Sequence, residues 1–419
     1  MMTQAFYTGL SGLKSSQMAI DATSDNIANI STVGYRSYDV EFSSMFEDAL
    51  TTSANTTSVD SGIGIGTTIQ TSATNLESGA LALTSRSTDL AINGDGWFGV
   101  QGPGEPMYTR AGNFTFDVND DLVTPEGFYV LGTLGGNIDG EVLTKQIDDI
   151  PLGEVTQQEK LRFPKSLRYP AEPTTNTSFL MNLGVENEVQ TISAGIVDAD
   201  GEKNELKLTF TQSAVQNPPG IEWDVVATTQ SLDGETVFST EQGVVSFDSS
   251  GALVSSTLNS INHKGVNIAI DLGSGYGGVI SSNTPSTSGS SVADGTIGGD
   301  LIGYDINRNA EVIATFSNGM QSSVGKIAVY HFQNDQGLDR IDGSKFVQSS
   351  NSGEPLFFKD AQGNNILGTE VMNFRVENSN VSMEVALTEL IILQRSYDSN
   401  SKVITTADQM LQKAIDMDA

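Results

Sequence analysis

The sequence predicts a multidomain α+β protein in which paired N- and C-terminal coiled-coil helices carry nested all-β outer domains. Three observations predict it. Both ends of the chain carry apolar residues at heptad spacing. The middle consists of short alternating segments separated by Gly, Asn, Asp and Pro turns. That alternating pattern is interrupted by a second block of the same kind and then resumes, which nests one domain inside another.

The C-terminal helix carries the clearer stripe. Met383, Ala386, Leu390, Leu393, Tyr397, Asn400, Ile404, Ala407, Leu411 and Ala414 step by threes and fours, and Glu384, Glu389, Arg395, Asp398, Lys402 and Asp408 occupy the other faces. Asn378 to Asn380 offer N-caps, and no proline follows Pro355. At 1.5 Å per residue this helix is roughly 50–55 Å long. The N-terminal helix repeats the pattern with Phe6, Leu10, Leu13, Gln17, Ile20, Ser24 and Ile27, and Asn29 to Gly34 ends it. A single stripe needs a second helix to bury against. The two ends therefore pair with each other, either closing a monomer or packing against copies from neighbouring subunits. The candidate assembly residues are Phe6, Leu10, Leu13, Ile20 and Ile27 on the first helix. On the second they are Leu390, Leu393, Tyr397, Ile404 and Leu411. Gln17, Ser24 and Asn400 weaken the stripe, and polar groups at such positions fix register and partner number.

Between the helices the expected layout is as follows. Residues 1–35 and 377–419 form the terminal helices. Residues 36–75, rich in Ser and Thr, form an extended linker or a strand lying along another surface. Residues 76–184 and 294–376 form the first β domain. Its hairpins are read from LALTSRSTDLAINGDGWFGVQ, MYTRAGNFTFDV and LVTPEGFYVLG. Pro151, Pro164, Pro170 and Pro173 mark the crossing into the inserted domain, 185–293. There NELKLTFTQS, GIEWDVVATTQ and GVVSFDSSGALVSS read as strands, with turns at Asp198–Gly201, Pro218–Gly220 and Asp248–Gly251. The Ser/Gly-rich segment 281–295 reads as the exit.

Composition narrows the function. The net charge of −31 argues against nucleic acid and anionic membranes as partners. No run of about 18 apolar residues exists, so no membrane insertion is expected. Cysteine is absent, which excludes disulfides and thiolate metal sites. The opening residues lack a basic region followed by an apolar core, so export without a cleaved signal peptide is the expectation. The two histidines, His263 and His331, lie in unrelated contexts and suggest no catalytic triad. Asp198-x-Asp200-Gly201 has the start of a calcium loop without its distal glutamate, and a β-turn explains it. Trp97 and Trp223 read as core or interface residues. No catalytic residue, cofactor or metal is expected.

Specific segments carry a resemblance. GLSGLKSSQMAIDATSDNIANISTVGYRS (9–37) resembles the opening signature of the bacterial flagellar rod, hook and hook-associated proteins. TDLAINGDGWFGVQ (88–101), YTRAGNFTFD (108–117) and LVTPEGFYVLG (122–132) resemble segments shared by the rod and hook members. SYDSNSKVITTADQMLQKAID (396–416) resembles their common C-terminal helix. The block at 185–293 and the segment 314–346 are similar to hook members, whereas distal rod members are shorter and lack a large insertion. The distal rod is the alternative.

The resemblance implies a self-assembling helical homopolymer, a curved flexible tube joining rod and filament at the extracellular flagellar hook of the basal body. It implies export through the type III apparatus and addition beneath a hook cap. It also implies contacts with rod and hook–filament junction proteins.

Overall fold

The computed structural model describes residues 2–46, 64–184 and 188–418. Helix α1 spans Met2–Ala28 and helix α2 spans Met383–Asp418. Strands β1 (Tyr38–Phe46) and β2 (Gly64–Thr74) pair antiparallel, with Tyr38 opposite Thr74 and Phe46 opposite Gly64. The expected linker at 36–75 is thus, over its described residues, a two-stranded ribbon; residues 47–63 lie outside the described residues. Of the two expectations, linker or strand along another surface, the described residues follow the second: the surface is α1 rather than a hydrophobic sheet. Gly66 sits so close to α1 that a Cβ there would lie 1.9 Å from Ser11 Oγ.

The first β block is a large mixed sheet built from two separated stretches of chain. Strand Glu311–Phe316 pairs with Gln321–Ile327, which lies beside Tyr129–Leu134, and this in turn lies beside Trp97–Gln101 and then Pro106–Thr109. The alternating sequence places Phe98, Val100, Val312, Ala314 and Phe316 inward. They meet Trp97, Phe114, Phe163 and Phe346, all essentially buried. Leu152, Leu161, Phe163 and Leu167 belong to this core, so most of the proline-rich stretch stays in the first block.

Chain crossing to the second block occurs at a narrow neck. Tyr169 pairs with Gly299, and Glu172 bridges Thr296. The inserted block begins earlier than residue 185. Strand Asn176–Asn182 pairs with Val266–Asp271, Val279–Ile280 and Thr287–Ala293. Its inward Thr177, Phe179 and Met181 give the alternation that assigns it there. The Ser/Gly-rich exit is likewise partly a strand. Its small residues suit a crowded site: a Cβ on Gly289 would lie 2.4 Å from Leu180 O. Against this sheet packs a five-stranded antiparallel meander, from Gln190–Val197 to Leu253–Ser256. Leu206, Leu208, Phe210, Trp223 and Val225 are fully buried between the two sheets.

One turn design recurs in both blocks. Asp117, Asp198, Asp248, Asn307 and Asp360 each accept backbone N–H groups from the residues two and four positions on. The residue three positions on has positive φ: Asp120, Gly201, Gly251, Ala310 and Gly363. These are three-residue hairpin loops in which the side-chain oxygen replaces a turn's carbonyl. At Asp198 the outer carboxylate oxygen receives Lys264 Nζ at 2.6 Å, so an ammonium sits on the would-be calcium loop.

Candidate assembly interface

The helices pack side by side and antiparallel. Gly9 lies against Val403 and Ile404, Gly12 against Asn400, and Ser16 Oγ is 3.4 Å from Ser396 Oγ. A Cβ on Gly9 would sit 3.0 Å from Ile404 Cγ1, and one on Gly12 2.8 Å from Asn400 Nδ2. Glycine here lets the two backbones approach closely. Asn400 Nδ2 also reaches Ser16 Oγ at 3.5 Å, a polar contact in the middle of the pair.

Of the sequence-predicted residues on α2, Leu390, Leu393, Tyr397, Ile404 and Leu411 are half-buried, flanked by buried Ala386 and Ala407. The α1 stripe lies differently. Phe6 is exposed, and Leu10, Leu13, Ile20 and Ile27 are only half-buried. The line α1 actually turns inward is Gly9, Gly12, Ser16, Ala19, Thr23 and Asn26, also at steps of three and four. A neighbouring buried pair, Ser15 and Ala22, flanks it. Ser15 bonds Thr67 Oγ1 and carbonyl, and Asn26 Nδ2 donates to Tyr38 O at 2.8 Å. Small residues carry no hydropathy signal, which is why hydrophobic periodicity does not pick out this inward row.

Both helices leave large apolar groups uncovered. Tyr7 is 65% exposed, Val385 65%, Ile392 61% and Ile415 68%, and Met18, Leu387, Ile391, Val403 and Met410 are also exposed. So much apolar surface along one pair of helices makes it a candidate interaction face. Among the described residues no helix is long and apolar enough to cross a membrane.

The pair is fastened to the first β block by a polar joint. Glu377, buried just before α2, meets Arg36 Nη2 at 2.9 Å and Arg110 Nη1 at 3.4 Å. Its Oε1 accepts Gly79 N–H at 2.8 Å, and its carbonyl accepts Gly34 N–H at 2.7 Å. Arg340 lies over the rings of Tyr35, Tyr38 and Phe346 and donates to Arg36 O. Asn380, read as a helix cap, instead accepts from Ser37 N and donates to the carbonyls of Asn75 and Glu77. Burial, then the neighbouring Arg36 charge, brings Arg110 down to about 10.

Elsewhere the polar groups serve the fold. His331 Nε2 lies 2.6 Å from Leu367 O and its ring packs on Phe358. A groove of about 430 Å³ on the first block is lined by Tyr108, Tyr330, Pro106, Pro355 and glutamines, with Glu105 its only acid. Among the described residues no acid–base pair converges in it.

Three family models match the chain in order. The flagella basal body rod protein model covers residues 6–36. The D1-domain model of flagellar hook proteins FlgE/F/G covers 91–158, and the FlgEFG C-terminal model covers 373–417. The chain thus carries, in order, three domains of the flagellar rod and hook proteins. Relatives that it matches over the full length bear the hook-protein name. It is 29% identical to the flagellar hook protein FlgE of Brucella suis over 98% of both chains. It is 26% identical to that of Escherichia coli, over 99% of this chain and 100% of the other. The crystal structure of the Helicobacter pylori flagellar hook protein FlgE2 shares the fold. That match has a TM-score of 0.54 at 16% identity, covering 71% of this chain and all of the other.

Proposed function

We propose that this chain is the structural subunit of the flagellar hook and that it polymerises through its terminal helices. One observation carries the reading: relatives matched over the whole length of the chain bear the hook name, and none of these matches needs the inserted block removed. The distal rod alternative is set aside on the same ground. The role is structural rather than enzymatic.

The uncovered apolar rows of α1 and α2 supply the driving force. Burying them against sibling helices contributes about 25 cal/mol per Å². Packing of this kind sets the axial spacing between subunits, in the manner of a coiled coil. The β blocks would then lie outside the helical layer and meet through Ser, Thr, Asn and Asp surfaces. Exposed polar contacts are individually weak and can be remade as a bent tube turns. Extracellular placement at the hook, export through the type III apparatus, growth under a cap, and contact with rod and junction proteins complete this reading.

Electron microscopy of the assembled full-length protein tests it. Curved tubes support the hook. Straight tubes would point to a rod, and an absence of tubes at any concentration overturns assembly as the function.

A further inference from the structure

The joint beneath the helices has an unusual composition. Three chain segments meet there: 34–38 after α1, 75–80 after β2, and 377–380 before α2. One carboxylate, Glu377, serves two guanidiniums, Arg36 and Arg110. All three residues are almost wholly buried. Neither Arg36 Nε nor Arg110 Nε has a hydrogen-bond partner among the described residues. The backbone is equally tight. A Cβ on Gly34, whose φ is +68°, would lie 2.3 Å from Ala111 N, and one on Gly79 1.9 Å from Asn378 O. Arg36 belongs to the N-terminal segment, Glu377 to the C-terminal segment and Arg110 to the β block. The carboxylate therefore touches all three bodies that must come together.

We propose that Glu377 is a positioning residue that seats both terminal helices on the first β block in one joint step. Arg36 cannot be buried without Glu377, because an unpaired guanidinium removed from water is strongly disfavoured. Arg110, which also donates to Gly94 O at 2.8 Å, carries the same demand on the β side. Among the described residues its ion pair is with Glu377 of the C-terminal segment, Asp95 and Asp335 acting on it through charge without pairing. If either end comes away, at least one buried charge loses its partner and the other end is released. A subunit thus presents a complete helix pair or none. The consequence for assembly rests on the hook reading, whereas the seating itself does not.

The test is Glu377→Gln in the full chain, read by sedimentation and by amide hydrogen exchange on the assembled and free forms. Glutamine keeps the size and the contact to Gly79 N–H but leaves two arginines unbalanced. Exchange in both α1 and α2 should accelerate together by about a hundredfold or more, and the sedimenting fraction should collapse. Residues 97–101 and 311–327 should stay as protected as in the parent protein. Adding Arg36→Met and Arg110→Met to Glu377→Gln removes the stranded charges and should restore protection of both helices. Three outcomes would overturn the proposal: both helices stay seated in Glu377→Gln, only one is released, or the triple variant shows no recovery. Parent protein that forms no tubes, while Glu377→Gln still frees both helices, would count against the hook reading and leave the seating role intact.

Discussion

His263 is fully buried, and neither ring nitrogen has a hydrogen-bond partner among the described residues. Burial holds its pKa below the usual histidine value; the Asp198 carboxylate opposes this and the Lys264 ammonium adds to it. Phe238 covers the ring at 5.2 Å, edge to face. A histidine whose folded pKa is depressed is neutral when folded, and the unfolded chain takes up the proton first. Its stability contribution is present above about pH 6.5, the ordinary value, and is lost as pH falls below that. The inserted block should therefore loosen as pH falls below about 6.5. His263→Phe should flatten that dependence, as followed by exchange in strands 203–212 and 221–231. An unchanged pH profile in the variant would assign the acid sensitivity to other groups. Asp198, in contact with Lys264, was readable from sequence as a turn acid. Its lysine partner, 66 residues away, was not.

The helices divide sharply in what their sequence reveals. Residues such as Leu393 and Ile404 are large and recur at the heptad period, so the α2 stripe is visible in the letters alone. The inward row of α1 is written in Gly, Ser, Ala and Thr, and only the packed structure distinguishes it from an ordinary polar face. The partner of the expected strand, α1, was hidden for the same reason, since hydroxyl groups such as those of Ser15 and Thr67 join the ribbon to it. Glu377, Arg36 and Arg110 gave no signal either, because charges far apart in sequence have no periodicity. The two rows of α1 make separable predictions. Gly9→Leu wedges the helices apart at Ile404 and should cost about 1–3 kcal/mol of helix-pair stability, measurable as faster exchange in α1 and α2. Leu393→Asp places a carboxylate in the α2 stripe and should abolish sedimenting polymer while both β blocks melt as before. Normal polymer from Leu393→Asp would remove the stripe from the interface.

At the scale of the whole molecule, the ribbon and the joint replace the expected slack between helices and β blocks with a fastened contact. The first β block and the helices are held by Glu377, Arg340, Asn380 and Gln336, whose Nε2 reaches Thr74 O at 2.7 Å. Among the described residues the two β blocks are joined by the pairings of the neck, Tyr169 with Gly299 and Glu172 with Thr296. There Asp294 accepts the N–H groups of Thr175 and Asn176. Long-range charge then governs how copies meet. The chain carries 52 acidic and 21 basic residues, a net charge of −31. Many lysines are already committed internally, such as Lys160 to Asp121 and Lys326 to Glu311. Copies brought together by apolar helices must therefore do so against mutual repulsion. Salt screens that repulsion, the Debye length shrinking from about 30 Å at 0.01 M to about 10 Å at 0.1 M, while leaving apolar burial in place. Raising sodium chloride over this range should lower the critical concentration for polymer formation, as measured by sedimentation at neutral pH. Interfaces held by ion pairs between copies would respond in the opposite direction. A critical concentration that rises with salt would therefore show that charge pairing, rather than helix burial, drives the association.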